Sequence, residues 1–86
     1  MCTNIIEKVD VAGSAKGARG WMAVDMARVS FDHPAHADLE YSLNIDFVNA
    51  SGGGVDRVAV ELSADSAREL VKTILSTLET GHPPRG

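Results

Sequence analysis

Tyr41-Ser42-Leu43-Asn44-Ile45-Asp46-Phe47-Val48-Asn49 is the stretch whose period decides the fold. Tyr41, Leu43, Ile45, Phe47 and Asn49 alternate with Ser42, Asn44, Asp46 and Val48. A period of two places successive side chains on opposite faces, so this is a strand with one apolar and one mostly polar face. On its C-terminal side, Asn49-Ala50-Ser51-Gly52-Gly53-Gly54 reads as a loop. A further strand begins at Val55 or Asp56 and runs to Leu62, with Val58, Val60 and Leu62 inward and Arg57, Ala59 and Glu61 outward.

The period then changes. Ser63 is a suitable N-cap, and Asp65 sits where an acid opposes the helix dipole. Ala67, Leu70, Val71, Ile74, Leu75 and Leu78 recur at helical spacing, and Gly81 followed by Pro83-Pro84 ends the helix. Burying such side chains contributes about 1.5–3 kcal/mol each, so this stripe is the expected cover of the sheet. His82 falls in a C-terminal tail expected over 81–86, leaving 1–80 as a single domain.

Upstream, Trp21 to Asp32 alternates as a second strand: Ala27, Val29 and Phe31 lie on the core side, and Met22, Val24 and Met26 on the other. Residues 3–11 form the first strand, with Ile5, Val9 and Val11 inward, although Glu7 breaks the alternation and Ile6 faces away. Between them, Ala12 to Gly20 (AGSAKGARG) reads as a long flexible connection. Its glycines, Lys16 and Arg19 invite a phosphate-cradle reading, but the spacing matches neither common phosphate loop. The sum is β-β-β-β-α: an α+β domain with a four-stranded antiparallel meander and one C-terminal helix packed on one face. One helix leaves the face of Met22, Val24, Met26, Val48 and Ala59 open, so a homodimer through that face or an edge strand is expected.

Eighty-six residues with a net charge of −4 make nucleic acid and anionic membranes poor partners. A single cysteine excludes an internal disulfide framework. Neither a spanning apolar run nor a secretory pattern is present, which points to a reduced, cytoplasmic setting.

The chemistry concentrates in Asp32-His33-Pro34-Ala35-His36, running on to Glu40. Pro34 must end the strand, and a short helical turn there would bring His36 and Glu40 together at i, i+4 spacing. In an antiparallel hairpin the start of the first strand faces the end of the second. Cys2 would then lie beside His33. Loss of Met1 would leave Cys2 with an α-amine and a thiol, two groups whose ordinary pKa values of about 8 and 8.5 make them usable ligands. A thiolate with two imidazoles suits a divalent transition metal: Zn²⁺ first, with copper, iron or nickel open. Cys2, His33 and His36 are therefore the candidate metal ligands, with Asp32, Glu40 or Asp46 as a further ligand or an orienting carboxylate. Two alternatives stand beside this reading. Cys2 could be an N-terminal nucleophile, with His33 or His36 as its base. The chain could also be a homo-oligomeric binding module without chemistry.

Met1-Cys2-Thr3, Gly13-Ser14-Ala15-Lys16-Gly17 ending in Gly20-Trp21, the Asp32-His33-Pro34-Ala35-His36 motif, Asn44-Ile45-Asp46-Phe47 and Arg57-Val58-Ala59-Val60-Glu61-Leu62 occur in that order. Together they resemble a family of small bacterial proteins of unknown function. The resemblance implies no activity, cofactor or partner.

Overall fold

Strand periodicity and one amphipathic stripe produce five elements in the computed structural model, which describes residues 5–53 and 56–81. They are β1 (Ile5–Gly17), β2 (Gly20–Asp32), β3 (Ser42–Val48), β4 (Arg57–Leu62) and α1 (Ala64–Gly81). The strands form one antiparallel sheet in the order β1-β2-β3-β4. The α+β meander read from the sequence is therefore the fold. Among the described residues no helix is long and apolar enough to cross a membrane. The tail expected at 81–86 lies outside the described residues from 82 onward.

The connection expected over Ala12–Gly20 is almost all strand. β1 runs to Gly17, and Ala18-Arg19 alone turn the chain, with Gly17 opposite Gly20. Gly20 leaves the turn at φ 109°, a conformation that a side chain strongly disfavours. The register shifts between Asp10 and Gly13, so Val11-Ala12 form a bulge that bends the hairpin. Beyond Met26, β2 pairs with β1 but no longer with β3, so the two strands continue as an arm. The arm curls back over the sheet, and Arg19 at its tip meets Asp56 at 2.5 Å, just before β4. Small residues in a glycine-rich stretch thus serve a tight turn and a bend rather than a loop.

This curl adds burial on the face expected to be open, while Ala27 on the core side is 4% exposed as expected. Val24 and Val48 occupy the face expected to be open, yet Val48 is 1% and Val24 7% exposed. Met26 lies directly opposite Val48, so the two valines share a face, and the bent arm covers it. Ser42, on the same face, is fully buried; its hydroxyl donates to Asn44 Oδ1 at 2.5 Å and lies 3.5 Å from the Asp32 carbonyl.

The other face carries Val29, Phe31, Leu43, Ile45 and Leu62, and α1 stands over it. Its cap is made as expected, with the Ser66 N–H donating to Ser63 Oγ at 3.1 Å. The expected cover does not form. Leu70, Val71, Ile74, Leu75 and Leu78 remain 42–66% exposed, and α1 has no buried residue. A single helix joined directly to the edge strand stands beside the sheet face and leaves a gap beneath its stripe.

Candidate functional site

The β2–β3 connection holds most of the chain's candidate chemistry. No helical turn forms across residues 33–41. Backbone donors of this loop are bound by a side chain from β4. Glu61, facing this loop from β4, accepts the N–H groups of Ala35 at 2.6 Å, His36 at 3.1 Å and Ala37 at 2.9 Å. One carboxylate thus collects three successive N–H groups in a concave arrangement. The same bonds, that of Ala37 first and then that of Ala35, hold the Glu61 carboxyl below the usual carboxylate range. Glu61 was read from the sequence only as an outward strand residue. The partnership spans about two dozen positions of chain and leaves no local signature.

His33 is held differently. Its N–H donates to Asp32 Oδ1 at 2.7 Å, and its Nδ1 lies 2.9 Å from the Glu40 carbonyl oxygen. A carbonyl only accepts, so Nδ1 carries the hydrogen, and in the neutral ring Nε2 is the basic nitrogen. The imidazole stacks on Tyr41 with centroids 4.7 Å apart, and Tyr41 stacks on Phe31 at 5.8 Å. These rings border the open apolar face. His36 instead contributes its backbone to the Glu61 cradle. The i, i+4 meeting of His36 with Glu40 does not arise, because no helix spans them.

The antiparallel register places Ile5 opposite Phe31, so the start of β1 does lie at the His33 end of β2. Cys2 itself, the third candidate ligand and the candidate nucleophile, lies outside the described residues. Among the described residues no three His, Asp or Glu side chains gather into a group that could hold a metal. Asp46, the other carboxylate considered, lies 3.8 Å from the Arg57 guanidinium instead.

A second carboxylate works as Glu61 does. Asp25 accepts the Ser51 hydroxyl at 2.6 Å and the N–H groups of Ala50 at 2.7 Å and Ser51 at 3.0 Å. The Ser51 hydroxyl, then its N–H, then that of Ala50 pull its carboxyl below the usual range. Each end of the sheet therefore has one acid clamping the loop beyond it.

An apolar concavity lies elsewhere. Between the sheet face and α1 lies an open, almost wholly apolar groove of about 470 Å³, with Val29, Phe31, Leu43 and Ile45 as its floor. Leu70 and Ile74 form its wall, and Arg68 is the charged residue at its rim. A groove of this kind recognises apolar side chains and offers little to a polar substrate.

A family model for a family of unknown function, DUF6295, matches residues 1–85, nearly the whole chain. The chain belongs to the DUF6295 family. No curated protein and no solved structure matches it. Membership in DUF6295 agrees with the resemblance to a family of unknown function, and it assigns no chemistry to any residue.

Proposed function

We propose that this DUF6295 protein is a binding module without chemistry of its own, whose working surface is the groove between α1 and the sheet. One observation carries the reading: the helix stripe that should close the core is about half exposed and faces an apolar floor. Soluble domains rarely leave so continuous an apolar surface uncovered unless a protein segment covers it. The groove takes apolar side chains from a protein partner. The test uses the apolar dye ANS with dilute full-length protein. Saturable emission that is lost in the Leu43→Asp and Ile74→Asp variants, with the circular-dichroism spectrum retained, is the expected result. Emission that is absent, or indifferent to both substitutions, would sink the reading.

A metal site at Cys2, His33 and His36 is the second reading, and one specific observation favours it. Hydrogen bonding of Nδ1 to a backbone carbonyl is how a ligating histidine is commonly fixed, with Nε2 turned to the metal. Zn²⁺ is the first candidate, since a thiolate with imidazoles suits it. Elemental analysis of tag-free protein, with a mass spectrum reporting retention of Met1, tests this. Stoichiometric metal that disappears in His33→Ala and His36→Ala supports it; metal-free protein removes it. Reduced surroundings and a cytoplasmic setting are part of the same proposal.

A further inference from the structure

We propose that the groove is closed by a second copy of this chain, with the two α1 helices antiparallel across a two-fold axis; this rests on the groove being the binding surface. The first support is the symmetry of the stripe. Ala67, Leu70 and Val71 mirror Leu78, Leu75 and Ile74 about the midpoint between Lys72 and Thr73. In an isologous contact residue i meets j while j meets i, so an antiparallel helix pair needs a stripe that reads alike in both directions. The stripe meets that need, as amphipathic spacing generally does, and so permits the two-fold pair.

Charge gives the second support. At about 100° per residue, Arg68 and Glu79 fall on one flank of the stripe, and Ser66 and Thr77 fall on the other. Rotation about the two-fold keeps each flank beside its own counterpart and reverses the helix direction. Arg68 of one copy then neighbours Glu79 of the other, twice, while the opposite flanks bring only hydroxyl residues together. Arg68 already lies at the groove rim.

The third is area. A compact monomer of 9.1 kDa exposes about 4,900 Å², whereas this chain exposes 6661 Å². The excess is more than the ~800 Å² that each partner of a standard interface buries, so the chain has area to spare for a second copy.

Sedimentation equilibrium of the full chain over a range of concentrations tests the proposal. The wild type is expected at the mass of two chains, dissociating on dilution, with ANS emission per chain rising as it does so. Glu79→Arg places like charges at both contacts and is expected to raise the dimer dissociation constant about tenfold. The double variant Arg68→Glu/Glu79→Arg restores the pairs and is expected to recover dimerisation. These are exposed positions, so folding does not depend on them. A wild type that stays monomeric while binding ANS overturns the second copy and leaves the groove reading standing. A dimer indifferent to both variants also overturns it, because the helices then lie elsewhere. A monomer that binds no ANS overturns the groove reading itself.

Discussion

Glu61 has one side chain and three backbone donors to hold, those of Ala35, His36 and Ala37. Its folded-state pKa is depressed, so the stabilisation it supplies is complete above its unfolded pKa of about 4.3. That stabilisation is lost as pH falls through the lower folded value. Asp25 has the same sign, with Ala50 and Ser51 as its dependants. Acidification below about pH 4 is therefore expected to release both loops before the sheet opens. Amide hydrogen exchange followed by NMR checks this: the amides of Ala35 and Ala37 should lose protection ahead of those in β2 and β3. Glu61→Gln should raise exchange at these amides already at neutral pH and leave those of Ala50 and Ser51 unchanged. Retained protection at Ala35 and Ala37 in that variant would show that the carboxylate is not the clamp.

Among the elements, the β1–β2 arm is the one whose making depends most on backbone conformation. Gly20 holds φ 109° at the exit of a two-residue turn, although a Cβ there would meet no atom. Gly13, beside the bulge, also has open space but is not held at positive φ. Gly20→Ala is therefore expected to destabilise the fold by about 1–2 kcal/mol through backbone strain, and Gly13→Ala to change stability little. Urea denaturation of the two variants measures the difference; equal midpoints would contradict it. Arg19–Asp56, by contrast, joins two side chains that are mostly in solvent, so the pair adds little to holding the arm down. What holds it is the bulge that bends it and the Val24 side chain it keeps from water.

On the scale of the whole molecule, the fully covered apolar side chains are few. Val24, Ala27 and Val48 are the buried hydrophobic residues among those described. Small domains bury a smaller fraction of their surface than large ones, and this one leaves its helix stripe outside. If a second copy supplies the missing contacts, stability is tied to protomer concentration by mass action. The thermal midpoint of the wild type is then expected to rise with protein concentration once the concentration exceeds the dissociation constant. In Glu79→Arg this dependence should shift to higher concentration. Differential scanning calorimetry across a dilution series reads both, and a midpoint independent of concentration would argue for a self-sufficient monomer.

Local pattern determined the elements themselves. The two-residue period of Tyr41–Asn49 and Trp21–Asp32 specifies strands, the stripe from Ala67 to Leu78 specifies a helix, and Ser63 specifies where it starts. Connections too short to hold a crossover helix leave an antiparallel meander as the simple path. Period and capping are written within a few residues, so they are legible without coordinates, whereas the two-residue turn at Ala18-Arg19 was hidden in a glycine-rich stretch that reads as a loop. Ala27 was legible as a core residue, but the burial of Val24 and Val48 is not written there: both looked like outward residues until a bulge bent the arm. Nor could the string of residues say that Glu61 would gather the Ala35, His36 and Ala37 amides, since that contact depends on where β4 passes the β2–β3 loop. The Asp32–His36 stretch was visible as a cluster of chemistry, yet its His33 ring is set by Glu40 and Tyr41 and its His36 backbone by Glu61. Tertiary structure alone decided these points, and also that the helix stripe ends up beside the sheet face instead of sealed against it. The reason is common to all of them: amphipathic period says that a side chain must be covered, and only the path of the chain says by what.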